Sequence, residues 1–363
     1  VVKVGTSVLT GPDGTLDHDR IRHLADELCA VSDTGRKVAL VSSGAVGAGM
    51  GRLGLARRPS ELPVLQAAAA VGQAYLIRAY DDQFRRHGRH AAQLLLTHED
   101  FDDRARYLNM RNTLRALFDC RAVPVINEND TISVDEIRLG DNDRLAAMVT
   151  NLVQAPLLVI LSVAPGLCRN DPGADGAWGE VIPLVPDLDQ ATLDLAGTSR
   201  STLGTGGMKT KLEAARAVTS AGGSVIIAPG REEGVLTRIL RGERIGTLFL
   251  ARGQTQGARR RWIGLTARPR GQLVVDAGAR HAIEEKGKSL LPIGVVEVTG
   301  SFARGDVVAV RSADGCEFAR GLCNYGYQDA GRIRGLRTEE LRAVLGETSD
   351  EEMIHRDHLV LTS

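Results

Sequence analysis

Through about residue 250, short runs of β-branched residues alternate with longer stretches of helical periodicity, an alternation that few architectures accommodate. The runs VVKVGTSVLT (1–10), KVALVSS (37–43), AVPVIN (122–127), PLLVILS (156–162) and SVIIAPG (224–230) read as strands, several of them apolar on both faces. A strand without a polar face belongs in a parallel sheet covered by helices on either side. The amphipathic stretches 19–31, 61–84, 104–118, 145–153 and 208–220 supply such helices. This β-α-β-α order predicts an α/β fold, an αβα sandwich with a mainly parallel sheet.

Near residue 252 the texture changes. The segment RGQTQGARRRWIGLTARPRG has few apolar residues, and a linker is expected over 253–270. It divides an α/β domain at 1–252 from a smaller domain at 271–363. In the second part QLVVDAG, GVVEVTG, GDVVAVRS and EFARGLCNY, with a short helix at 279–286, predict a small β-rich barrel or sandwich. A length of 363 residues also exceeds what one hydrophobic core usually supports.

Formal charge balances, 45 Lys and Arg against 45 Asp and Glu, which removes any whole-molecule case for a nucleic-acid or anionic-membrane partner. No apolar stretch reaches the ~18 residues of a membrane helix and no signal-peptide pattern opens the chain, so a soluble cytoplasmic protein is expected. The first residue, Val1, already lies in a strand-like run, and a few residues are expected upstream. Five scattered cysteines without a C-x-x-C pair read as buried free thiols in a reducing compartment.

Ligands of open parallel sheets collect at the carboxyl ends of the strands, and the polar clusters fall there. Lys3 in an apolar strand needs a reason, because a buried unpaired charge is expensive; a phosphate is one, snorkelling from a sheet edge another. SSGAVGAG (42–49) offers Ser43 and Gly44 at a helix start, suited either to an anion or to close helix packing. NENDTISVDEIRLGDNDRL (127–145) sets Asn127, Glu128, Asn129 and Asp130 against Gly140, Asp141, Asn142 and Asp143 across one loop. One helix cap explains one of those residues; the pair of clusters suits an ammonium group, a metal ion or both. GTGGMKTK (204–211) is not a P-loop, since Met208 stands where that motif requires Gly, yet glycines ahead of Lys209 and Lys211 at a helix start favour phosphate. Lys3 and Lys211 together with the glycine loops describe a cradle for a transferring phosphoryl group.

The blocks KVGTSVL, VSSGAVGAG, QAAAAVGQ, QLLLTHEDF, RYLNMRNTL, VPVINENDTIS, GDND, GTGGMKTK and GTLF, in that order, resemble the bacterial glutamate 5-kinase family, and the C-terminal part resembles a PUA domain. The resemblance implies the amino-acid-kinase fold, with residues 1–252 catalytic, and L-glutamate, ATP and Mg2+ as reactants and cofactor. It implies Lys3, Asp143 and Lys211 as catalytic residues. Ser43, Gly44, Asn127, Asp130, Asp141 and Asn142 would bind the amino acid. Lys3, Ser162, Thr205, Gly206, Gly207, Met208, Lys209, Thr210 and Lys211 would bind ATP, with no protein side chain assigned to a metal. A homo-oligomer and a glutamyl-phosphate reductase partner are further expectations from the family. One block departs: SVAPGLC keeps Ser162 but places Val163 where the family carries an acid and Cys168 where it carries an aromatic ring, which puts this segment's nucleotide contact in question.

Two rivals remain on sequence alone. One is a kinase for another small carboxylate, aspartate, N-acetylglutamate or carbamate. The other is an RNA-binding or regulatory protein with a weakened kinase site, although Gln272–Arg337 carries nearly balanced charge and the one dense basic run is Arg259–Arg261 beside Trp262.

Overall fold

The computed structural model describes residues 1–11, 14–132, 142–170, 178–195, 207–252, 262–345 and 350–362. The chain divides into two compact units, Val1–Thr255 and Gln256–Ser363.

The first unit is built on an eight-stranded sheet of order β3-β4-β2-β1-β5-β7-β8-β6. Its strands are β1 (Val2–Val4), β2 (Leu40–Ser42), β3 (Ala91–Leu96), β4 (Val123–Glu128), β5 (Leu157–Ser162), β6 (Leu184–Val185), β7 (Ser224–Pro229) and β8 (Thr247–Phe249). All neighbours pair parallel except β7 and β8. The expected αβα sandwich is therefore what forms. Pro124 is accommodated inside β4 because the pairing with β2 begins only at Val125, so its missing N–H interrupts no bond there.

The helices that place the polar clusters are α1 (Thr6–Leu9), α2 (His18–Asp33), α3 (Ala45–Leu53), α4 (Leu62–Arg85), α5 (His98–Asp102), α6 (Arg104–Asp119), α7 (Asn142–Val153), α8 (Gln190–Asp194), α9 (Met208–Thr219) and α10 (Val235–Leu240). Leu24 and Leu28 of α2 and Leu76, Tyr80 and Phe84 of α4 share one buried cluster with Val2, Val4, Leu40, Val125 and Val159 of the sheet. Val2 and Val4 point into it, so the intervening Lys3 projects to the other face. There α7 packs against α9.

The run 1–10 is strand only over Val2–Val4; Thr6–Leu9 turns helical, with Val8 N–H on the Gly5 carbonyl and the Thr10 hydroxyl on the Thr6 carbonyl. The apolar residues there satisfied a strand pattern while the side chains of Val8 and Leu9 were being buried by a turn.

The second unit has a five-stranded sheet, order β10-β9-β11-β12-β13, from β9 (Gly271–Val275), β10 (Val295–Gly300), β11 (Val307–Ser312), β12 (Glu317–Leu322) and β13 (Leu359–Leu361). Only β9 and β11 pair parallel. With α11 (Ala277–Glu284), α12 (Tyr327–Ile333) and α13 (Thr338–Leu345), the sheet encloses its own core around Leu273, Val310, Phe318 and Ile354. Within the segment read as a linker, Trp262–Thr266 forms a single π-helical turn with Trp262 and Ile263 buried. Arg259–Arg261 lie outside the described residues. Of the five thiols read as buried, Cys29, Cys168 and Cys323 are, whereas Cys120 and Cys316 are exposed. No helix among the described residues is long and apolar enough to cross a membrane.

Candidate active site

β1 lies between β2 and β5, where the strand order reverses, so the loops leaving these strands open on one crevice. Lys3 is in β1, between Val41 of β2 and Ile160 of β5 in the register. Its Nζ lies 2.7 Å from Asp143 Oδ1, and Lys211 Nζ lies 3.1 Å from Asp143 Oδ2. The Thr210 hydroxyl donates to the same Oδ2 at 2.8 Å and also lies 2.9 Å from the Gly207 carbonyl. Lys3 is 5% exposed, Asp143 1% and Lys211 8%. Burial pushes the Asp143 carboxyl upward, but the ammonium groups of Lys3 and Lys211 and the bonds from Lys3 and Thr210 outweigh it and hold the group far below the usual carboxylate range.

Two ammonium groups share one carboxylate in this buried set. Asp143 occupies the first turn of α7, where the helix dipole favours a carboxylate. Lys209 and Lys211 occupy the first turn of α9, where the dipole disfavours a cation. A bound anion reverses that penalty. Lys209 is exposed, unlike Lys211, and Met208 is half-buried. Gly207 caps α9; Thr205 and Gly206 lie outside the described residues, as does Asp141.

Beside the charged trio runs a chain of amides. Asn142, the first residue of α7, donates through Nδ2 to Ser43 Oγ at 2.8 Å and to Asn127 Oδ1 at 2.9 Å. Asn127, in β4, donates through Nδ2 to Gln73 Oε1 of α4 at 2.9 Å. Asn142 Oδ1 and Gln73 Nε2 are buried with no hydrogen-bond partner among the described residues. Sequence reasoning placed Ser43, Asn127 and Asn142 here and missed Gln73. The readable signal was a polar residue on the buried face of α4, in step with Ala69, Leu76 and Tyr80.

Asp130, just past β4, has its carboxyl pushed up to about 6, first by burial, then by the Glu128 carboxylate, with Arg58 opposing. Gly44 caps α3 with φ 107°, a left-handed conformation that a side chain strains. Gly49 serves packing instead: a Cβ there would fall 1.7 Å from the Ala68 carbonyl oxygen of α4. Of the two readings of SSGAVGAG, close helix packing therefore accounts for Gly49.

At the end of β5, Ser162 is buried, its carbonyl accepting from Gly230 N–H at 2.6 Å and its hydroxyl oxygen from Ala164 N–H at 3.3 Å. Val163, in the place where an acid is expected, is 42% exposed. Cys168 is buried, and burial pushes its thiol up. No group of three His, Cys, Asp or Glu side chains converges for a metal among the described residues. Asp143 has both carboxylate oxygens engaged by lysines, so it does not fit a protein-held divalent ion.

Residues 1–229 match the amino acid kinase family and residues 271–345 match the PUA domain. The first match, covering more than half of the chain, defines the class as that of kinases built on a parallel αβα sheet. Among the relatives, the glutamate 5-kinases of Syntrophotalea carbinolica and Thioalkalivibrio sulfidiphilus are each 47% identical, spanning 99% of this chain and 96% of their own length. That of Cupriavidus metallidurans is 48% identical over 99% of this chain and 97% of its own length. The chain belongs to the glutamate 5-kinase family.

Proposed function

We propose that this protein transfers the γ-phosphoryl group of ATP to the side-chain carboxylate of L-glutamate, forming L-glutamyl 5-phosphate, the first step of proline biosynthesis. The observation that carries the reading is the buried set Lys3, Asp143 and Lys211, two ammonium groups on one carboxylate, beside a row of amide and hydroxyl groups. The attacking oxygen belongs to a carboxylate of ordinary pKa about 4.3, already ionised at neutral pH, so no general base is required. The obstacle is repulsion between an anionic nucleophile and an anionic donor, together with in-line placement of the two. Lys3 and Lys211 offset the repulsion, and Asp143 keeps the two ammonium groups in register.

The α-ammonium of glutamate requires acceptors, which Asp130 and Asn142 provide; Ser43 and the Gly44 loop face the α-carboxylate. Thr205 to Lys211 and Ser162 serve the nucleotide. Mg2+ would ride on the nucleotide phosphates, neutralising charge there. An acyl phosphate is labile in water, so a reductase that consumes it is the expected partner, and a homo-oligomer the expected assembly.

The test is an ATP turnover assay with acyl-phosphate trapping, offering glutamate, aspartate and N-acetylglutamate in turn. Product with glutamate alone is expected. Comparable turnover with N-acetylglutamate, whose acylated nitrogen carries no charge, would sink the reading.

A further inference from the structure

We propose that Gln73 is a positioning residue that sets, through Asn127, which end of the Asn142 amide is turned to the amino acid; the inference rests on the glutamate reading above. Gln73, Asn127, Asn142 and Ser43 come from α4, β4, α7 and the loop after β2, and hydrogen bonds of 2.8–2.9 Å link them into one row. Each side-chain amide has a donor end and an acceptor end. Linked amides must therefore run head to tail, and reversing one reverses all.

In the observed direction both amide hydrogens of Asn142 are used, one on Ser43 and one on Asn127. Asn142 Oδ1 is left as a buried acceptor with no donor among the described residues. An ammonium group supplies that donor. In the opposite direction Asn142 would present Nδ2, which repels a cation and offers no lone pair. The direction of the row thus decides whether the site selects for an amine.

Gln73 ends the row and holds its direction with one atom, Oε1, which accepts from Asn127 Nδ2. Its own Nε2 has no acceptor among the described residues, so the side chain gives up one bond to hold this orientation. At 7% exposure it has little freedom to turn. Its height is fixed by the neighbouring Gly72, where a Cβ would fall 1.8 Å from the Ala45 carbonyl oxygen of α3. The α4 backbone cannot slide without breaking that contact.

The experiment compares wild type, Gln73→Met and Gln73→Glu by the KM for glutamate, the KM for ATP, and the inhibition constant of glutarate, the same dicarboxylate without the amine. Gln73→Met removes the acceptor at similar length. It is expected to raise the KM for glutamate on the order of tenfold, the equivalent of one hydrogen bond to a charged group. The KM for ATP and the glutarate constant should hold, so discrimination between the two dicarboxylates collapses. Gln73→Glu keeps an acceptor oxygen opposite Asn127 and should restore the discrimination. Parallel loss of glutamate and glutarate binding, or a Gln73→Glu variant as impaired as Gln73→Met, would overturn the inference in favour of a packing role. A wild-type protein that does not phosphorylate glutamate would remove the functional reading itself, a result distinguishable from either.

Discussion

Asp143 holds two cations with one carboxylate, and the arrangement predicts what its neutral counterpart does. In Asp143→Asn the amide oxygen accepts from one lysine while the amide nitrogen faces the other. Turnover should fall by roughly 10²–10³, the scale of removing a group that organises transition-state charge, with the KM for glutamate changing far less. Steady-state kinetics at saturating ATP check this. Asp130 makes a second prediction. With its carboxyl pushed up to about 6, it is protonated as pH falls below that value and loses the negative charge that attracts an ammonium group. The kcat/KM for glutamate should decline below about pH 6, and Asp130→Asn should abolish that limb while raising the KM, with the KM for ATP little changed. Lys3 was legible in the sequence because a lysine in an apolar strand demands an explanation. Gln73 was easy to pass over because an Ala-rich helix carries glutamine on its surface at no cost, so its spacing with Ala69, Leu76 and Tyr80 is informative only once the fold shows which face of α4 is inside.

At the scale of elements, the long helices were legible almost to the residue, because an amphipathic stripe of fifteen or more residues has one consistent period. β3 was not: AAQLLL contains good helix formers, and its strand state is imposed by pairing with β4 across six residues. β6, β8 and β13 span only two or three residues, too short for a period. The α3–α4 crossing yields its own prediction. A methyl at Gly49 or Gly72 would overlap the facing backbone, so Gly49→Ala or Gly72→Ala must push the helices apart. Each should destabilise by about 1–3 kcal/mol or more, the cost of overpacking. Because Ser43 and Gly44 lead into α3 while Gln73 rides on α4, the KM for glutamate should rise with the loss of melting temperature, which denaturation and kinetics on the same samples measure.

At the scale of the molecule, each unit carries its own apolar core, and the charged centre is a stability element of the first. The depressed Asp143 carboxyl contributes stability that is fully present above the ordinary carboxylate value of about 3.9 and is lost as pH falls through the lower folded value. Asp143→Ala removes the carboxylate that two buried ammonium groups share, at about 3–5 kcal/mol. Urea unfolding should therefore separate wild type from Asp143→Ala widely at pH 7 and progressively less in acid. A gap that is constant with pH would show that the carboxylate's charge is not the source.

Threading β1 between β2 and β5 also has a consequence for synthesis. The strand bearing Lys3 emerges before its flanking strand β5 exists, and the last member of the trio arrives on α9, more than two hundred positions downstream. A growing chain thus cannot assemble the Lys3–Asp143–Lys211 set until the ribosome has released most of the first unit. Under the role proposed for that set, translation products cut short ahead of α9 are expected to transfer no phosphoryl group from ATP, which turnover assays of chains truncated before Met208 would check.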